Sequence, residues 1–490
     1  SFLNKAKTHT SNSLKPLLLL AGVLGVLFSG YGQGRFSEIY QEGNLTYSVV
    51  VDGSDIITAA DFRTDSGDIG IRFLRTDTTG QIIDQDSIKT PGINTFTGYH
   101  GSFKKRDSTY VLAGSNRGQD TYGFLLEVDR NFDTVAFTSF QYQGEQTFPR
   151  SCVLTADGGT FVTGENFVFY PSDSLYRREI LAAKFDAQAN LEWIKSFAAP
   201  QVAGQVNMQV GYDVIVVKNT YVIAGSRFRD FVFDSGDNVI LKLDSVGTLK
   251  KIDILGNNNV SEAGQSLIQT SDSTFLFGTA WGVSNTMAFG QMRSVNQLKF
   301  IHYDLNGAKL WEKDHYPLSV GNIIQGMTLT KDSNILTIGS RFINPNDHSV
   351  QSKYLSYSYS LLIDNKGDSV RYREYTIDNH ANDYDLLFGV QTMDDGGFVA
   401  AGRLYTSQSP ITGQPASHVW IVRADSFGCV VQGCQNISIA EEGSVSRISL
   451  YPNPTKGTFQ LEGLEGLEAE LKIYNSSGQE VLYQLAVQED

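Results

Sequence analysis

The chain has 490 residues, 41% of them hydrophobic and 11% aromatic, with 53 acidic against 39 basic side chains and a formal charge of −14. That length supplies one large core plus a small appendage. The acidic excess argues against a nucleic-acid partner, because phosphate binding needs a basic surface.

Residues 1–32 predict a secretory signal peptide. Lys5, Lys7 and Lys15 precede the apolar run PLLLLAGVLGVLF at 16–28, and Gly30 and Gly32 stand three and one positions before a cut preceding Gln33. The run is thirteen residues, short of the ~20 that span a bilayer. No Cys follows the cut, which speaks against a lipid-modified N-terminus.

From there a repeat dominates. Asp77, Asp129, Asp186, Asp244, Asp304, Asp364 and Asp425 each close a short apolar run, at spacings of 52, 57, 58, 60, 60 and 61 residues. Five of these open a D-x-x-G turn, ending at Gly80, Gly247, Gly307, Gly367 and Gly428. A fixed period of this size means a repeat architecture. Upstream of each Asp lies a second landmark, a β-rich stretch ending in a small residue: Ala59, Gly114, Gly164, Gly225, Gly278, Gly339 and Gly402. These stretches follow tight turns and are rich in Val, Ile, Tyr, Phe and Thr. One further strand follows each Asp turn, so a unit holds four antiparallel strands in about sixty residues.

Such units cannot bury both faces alone and must stack on one another. The expected fold is therefore all-β: a seven-bladed β-propeller of four-stranded antiparallel blades over 33–435. The seventh unit lacks a long fourth strand, and GRFSEIY at 34–40 reads as its replacement, tying the ring shut and removing its open edges.

In a meander of this kind the tight turns share one face and the connections between second and third strands share the other. The longest of these connections, read at 279–297, 341–358 and 403–418, carry Trp281, Phe289, His348, Tyr354, Tyr357 and Tyr405. Variable loops on a rigid scaffold are where recognition resides, so they form the candidate recognition face. Simple tolerated insertions would look the same.

Little else points to chemistry. The seven His show no metal-ligand spacing, and no G-x-S-x-G elbow is present, so no catalytic residue, metal or cofactor is assigned. Two D-S-G-D segments, Asp65–Asp68 and Asp234–Asp237, are explained by turn formation as well as by calcium. DLNGAKLW and FDAQANLEW resemble the docking motif of quinone-dependent dehydrogenase propellers, but aromatic packing of Trp193 and Trp311 between repeats is the simpler reading. The expected function is non-catalytic binding of a glycan, matrix polymer or protein by a monomer; the alternative is an extracellular polysaccharide hydrolase. Cys429 and Cys434 flank a four-residue gap where the repeats end, and an oxidising compartment would join them. Cys152 is left as a core thiol.

Residues 436–447 form a polar linker to the tail, 448–490. There Tyr451, Pro452, Asn453, Pro454, Gly457 and Phe459, then Tyr474 and Gly478, resemble the type A C-terminal sorting domain of the type IX secretion system. The resemblance implies a small β-sandwich, partial in this chain, recognised by the type IX machinery. It further implies passage through the periplasm to the outer cell surface or the medium, and it is silent about activity.

Overall fold

A computed structural model describes residues 34–431, apart from 41–42, 64–66, 90–93, 99–100, 119, 172–173, 199–207, 229–235, 257–259, 285–293, 316–320, 344–354, 378–383 and 407–415, together with 449–451 and 460–462. The signal segment at 1–32 and the linker at 436–447 lie outside the described residues. So do Asp65 and Ser66 of the first D-S-G-D segment, and Asp234 and Ser235 of the second. The chain divides into two compact units, 1–430 and 431–490.

The larger unit is all-β among the described residues. Its first strand, β1 (Phe36–Tyr40), is followed by antiparallel meanders. The first contains β2 (Leu45–Asp52), β3 (Asp55–Arg63), β4 (Ile69–Thr76) and β5 (Ile82–Ile88). In the second, the leading strand is split into β6 (Asn94–Thr97) and β7 (Phe103–Arg106), followed by β8 (Thr109–Arg117), β9 (Tyr122–Asp129) and β10 (Thr134–Phe140). Next come β11 (Thr147–Leu154), β12 (Thr160–Tyr170), β13 (Leu175–Phe185) and β14 (Leu191–Phe197). The fourth holds β15 (Met208–Val217), β16 (Thr220–Phe228), β17 (Gly236–Asp244) and β18 (Leu249–Leu255). The fifth holds β19 (Val260–Ser271), β20 (Thr274–Ser284), β21 (Ser294–Asp304) and β22 (Lys309–His315). The sixth holds β23 (Gly321–Leu329), β24 (Ile335–Ile343), β25 (Leu355–Ile363) and β26 (Ser369–Tyr375). The last is β27 (Tyr384–Thr392), β28 (Phe398–Thr406) and β29 (Ala416–Ala424), and β1 supplies its fourth strand, running antiparallel from Phe36 opposite Arg423 to Tyr40 opposite Val419.

The leading strands touch in a closed cycle: β2 beside β7, then β11, β15, β19, β23 and β27, which returns to β2. Successive meanders bury apolar faces against each other, as where Phe161 of one stacks on Tyr221 of the next at 4.0 Å. Burial of this kind is the dominant favourable term.

The two sequence landmarks each have a physical cause. In the Asp turns the carboxylate gathers backbone N–H groups ahead of it. Asp364 accepts from Lys366 N at 2.8 Å and Asp368 N at 2.9 Å, while Gly367 N closes the turn on Asp364 O at 3.0 Å. The fourth position has φ of +86° at Gly367, which is why glycine recurs there. Phe132 and Ala189 hold the same left-handed position at +62° and +61°. The glycines of the second strands do not need a positive φ. At four of them a β-bulge in the adjoining leading strand, such as Leu387/Gly389, brings a carbonyl over the glycine. A Cβ on Gly402 would lie 1.8 Å from Leu386 O, on Gly339 1.9 Å from Ile323 O, and on Gly164 2.0 Å from Phe148 O.

Neighbouring meanders are then fastened through the Asp turns. Tyr40 donates its hydroxyl to Gly80 O at 2.6 Å, Thr138 to Ala189 O at 2.7 Å, and Tyr375 to Gly428 O at 2.9 Å. Lys195 Nζ donates to Gly247 O at 2.9 Å, and His315 Nε2 to Gly367 O at 2.8 Å. Trp193 covers Gly247 and Trp311 covers Gly367, where a Cβ would come within 2.6 and 2.7 Å of the rings. The two tryptophans thus pack between repeats.

Gly402→Ala should cost about 1–3 kcal/mol, because its methyl meets backbone that cannot move aside. Gly118→Ala, with nothing within 4 Å, should stay within about 0.5 kcal/mol of the parent. Denaturant midpoints of the two variants check the contrast.

Asp61 provides a pH test. It is buried and accepts from Thr97 N at 2.8 Å and Thr97 Oγ1 at 3.0 Å, linking the first two meanders. Burial pushes its carboxyl up to about 7 from 3.8, against the opposing pull of those hydrogen bonds and Arg117. The folded state therefore holds the proton more tightly than the unfolded chain, and stability falls as pH rises from 3.8 to about 7. Asp61→Asn keeps the accepting oxygen and removes the ionisation. The variant should match the parent below this window and exceed it above, by on the order of 1–3 kcal/mol, in urea titrations at both ends.

Candidate functional site

The bulged leading strands surround a cavity of about 460 Å³, with residues from β2, β7, β11, β15, β19, β23 and β27 in its wall. This is within the size range of small-molecule sites. Val214, Ile215, Leu267 and Met327 contribute apolar wall, while Ser48, Ser266, Thr328, Gln325 and Gln391 contribute hydroxyls and amides.

Asp213 is the carboxylate in this wall, and the bulge between Gly211 and Asp213 positions it. Its Oδ1 accepts from Ser151 Oγ at 3.0 Å and Val214 N at 2.8 Å; its Oδ2 accepts from Leu267 N at 2.8 Å and Ser266 Oγ at 3.3 Å. One side chain thereby joins β11, β15 and β19. Burial raises its pKa, and the hydrogen bonds and Lys104 pull the other way. Other bridges tie β2 to its two neighbours. Gly101 N donates to Ser48 Oγ at 3.1 Å, Val51 N to Gln391 Oε1 at 2.7 Å, and Lys105 Nζ lies 2.5 Å from Asp52 Oδ1.

A second polar layer follows the second-strand glycines. Glu165 is buried between Arg150 at 2.5 Å and Arg178 at 3.2 Å, and Arg227 pairs with Asp237. Lys299 holds Glu312 and Asp314 at 2.5 and 2.8 Å, with Trp281 5.1 Å from its ammonium. Arg341 pairs with Glu374 at 2.8 Å. These carboxylates are bound into ion pairs, and a buried pair is broken only at high cost.

The aromatic residues expected on long connections are placed differently. Trp281 lies in β20 opposite Gln297, Tyr357 in β25 opposite Arg341, and Tyr405 in β28 opposite Ser417. The strand pairing runs past the glycine landmark, so the connections are shorter than 279–297, 341–358 and 403–418. Phe289, His348 and Tyr354 lie outside the described residues. In the smaller unit, Tyr451 ends β30 (Ser449–Tyr451), which pairs antiparallel with β31 (Gln460–Glu462). Pro452, Asn453, Pro454, Gly457, Phe459, Tyr474 and Gly478 lie outside the described residues. Cys429 is buried at the end of the last Asp turn, donating N–H to Asp425 at 2.8 Å, and Cys434 is outside the described residues. Cys152 is a free, fully buried thiol pushed up to about 11 by that burial.

Lys104, Asp213, Gln325 and Gln391 are not legible as site residues from the sequence. The available signal is the run FKKR at 103–106, whose paired lysines stand out against leading strands such as VVVD, IVV and VQT.

Residues 449–490 match the family described as a secretion system C-terminal sorting domain. No curated relative matches the chain. Among solved structures it is similar to a puromycin-hydrolyzing peptidase of Mycobacterium tuberculosis, at 12% identity and a TM-score of 0.46, covering 85% of this chain and 58% of that one. It is also similar to a protein of unknown function from Dyadobacter fermentans, at 12% identity and a TM-score of 0.40, covering 68% of this chain and 100% of that one. A third likeness is to an α-L-arabinofuranosidase of Fusarium graminearum, at 10% identity and a TM-score of 0.37, covering 80% of this chain and 98% of that one. The chain spans 58% of the peptidase's length, and at these TM-scores the likenesses carry no argument about activity. The tail is decisive for destination: residues 449–490 are a sorting domain of the type IX secretion system, and the protein is exported by that route to the cell surface or extracellular space.

Proposed function

We propose that the meanders are the blades of a seven-bladed β-propeller spanning 33–435, linked through 436–447 to the sorting domain, behind a signal peptide at 1–32. The propeller is a non-catalytic binding module at or beyond the cell surface, and its ligand occupies the central cavity. The observation that carries this reading is the chemistry of the cavity wall. Its carboxylate, Asp213, is committed to four hydrogen bonds that hold three strands together. Hydrolysis would require convergent carboxylates with poised pKa values. A binding site needs only the mixed wall of hydroxyls, amides and aliphatic groups.

A glycan array probed with the purified chain, run beside a polysaccharide hydrolysis screen, tests the reading. Binding without turnover is expected. Turnover abolished by a single Asp or Glu substitution would replace the binding module with a hydrolase.

The Cys429–Cys434 disulfide belongs to the same proposal, pinning the end of the last blade. Non-reducing peptide mass spectrometry should recover both in one cross-linked peptide, with Cys152 unmodified by alkylating agents until the fold is denatured. Alkylation of Cys429 and Cys434 in freshly exported protein would refute the pairing. The loop is short, so its loss should cost less than the roughly 3 kcal/mol expected for a 15-residue loop.

A further inference from the structure

We infer that the central cavity takes an acidic sugar, with the sugar's carboxylate paired to Lys104. This deepens the binding reading and rests on it. Strand β7 carries three consecutive cations, and two are already used. Lys105 pairs with Asp52 at 2.5 Å, and Arg106 with Glu127 at 2.8 Å. Lys104, half-buried in the cavity wall, has no carboxylate within 4 Å and no hydrogen-bond acceptor among the described residues. Its ammonium lies against Gly101, where a Cβ would come within 2.9 Å of it and 3.6 Å of Ser151 Oγ. Asp213 stands beyond Ser151, and no salt bridge joins it to Lys104, whose charge reaches that carboxylate only at longer range.

A partly desolvated ammonium is stabilised by any anion that reaches it. The rest of the wall narrows the choice. Phosphate sites typically gather several donors or an arginine fork, and no arginine lines this cavity among the described residues. An amino acid would need a carboxylate for its ammonium, and Asp213 is committed elsewhere. A fatty acid would leave the polar groups without use. Thr328 Oγ1 and the Gln391 NH₂ have no partner among the described residues and can bond ring hydroxyls. Val214, Ile215, Leu267 and Met327 suit the C–H face of a sugar ring. Ser48, Ser266 and Gln325 add further polar contacts around it.

The test uses isothermal titration calorimetry of the full chain with glucuronate, galacturonate and mannuronate oligosaccharides, each matched to its neutral counterpart. At least one acidic oligosaccharide should bind about tenfold or more tightly than its neutral match, and added salt should weaken it. That preference should vanish in Lys104→Met and Lys104→Gln and persist in Lys104→Arg, with circular dichroism confirming the fold of each variant. Equal binding of acidic and neutral sugars, or an acidic preference untouched by Lys104→Met, overturns the inference while the cavity reading stands. If neither kind binds, and the array gives no other ligand sensitive to Lys104 substitution, both readings fall.

Discussion

The Asp-closed turn is the interaction on which the larger unit depends, because it works at two scales. Within a meander, one carboxylate satisfies backbone donors that a tight turn would otherwise leave exposed, and so fixes the connection between third and fourth strands. Between meanders, five of these turns offer the carbonyl of their fourth residue to a side chain of the preceding fourth strand, while the Asp129 and Asp304 turns are reached at Arg130 O and Leu305 O by Arg75 and Lys242. Tyr40, Thr138, Lys195, His315 and Tyr375 use different chemistry to reach the same acceptor. The acceptor is backbone, so the neighbour's side chain is free to vary. That variation explains why the clasp leaves no motif of its own although the turn does.

The inner layer obeys a different constraint. Leading strands crowd together at the centre, and bulges such as Gly211/Asp213 and Ile324/Gly326 turn their backbones to fit. In four meanders the bulge lifts a carbonyl over the second strand, and Gly164, Gly225, Gly339 or Gly402 beneath it accepts the approach. The same bulges put polar side chains at the cavity wall, where Asp213 and Gln391 stitch adjacent leading strands. The ring is thus fastened twice, at its rim through the turns and at its centre through these bridges.

What can be read from the sequence follows from the range of the interactions. Asp364 bonds residues two and four positions ahead, so its turn is local and recurs with the chain's own period. Gly339 and Gly402 recur because the bulge recurs. Asp213 and Ser266 bond across 53 residues, and nothing near Asp213 in the chain announces the partner. Lys104 stands apart only because Lys105 and Arg106 find acids on other strands, Asp52 and Glu127. Trp281, Tyr357 and Tyr405 read as parts of connections because the small residue looks like the end of each second strand; the strand formers beyond it, as in AWGV and RLYT, continue the pairing to Ser284 and Thr406. The sorting segment is legible for another reason, being a motif read by machinery rather than by this fold.

Ring closure is the longest-range of these interactions. Trp420 Nε1 donates to Ser37 Oγ at 2.9 Å across 383 residues of chain, and Arg35 pairs with Asp425 at 2.9 Å. Joining such distant segments in a free chain would cost about 5 kcal/mol of loop entropy beyond a constant. The contacts between successive meanders are short in sequence, so in a chain that docks each meander on the previous one most of that cost is spread over local steps. With β27 beside β2, the last meander lies next to the first, and β1 reaches β29 from only a few residues before β2. Its register is then set from both ends: Phe36 and Tyr40 are buried, and Tyr40 also grips the Asp77 turn of the first meander. The strand that finishes the last sheet thereby fastens the first one to it, and the exposed edge that β29 would otherwise present is paired.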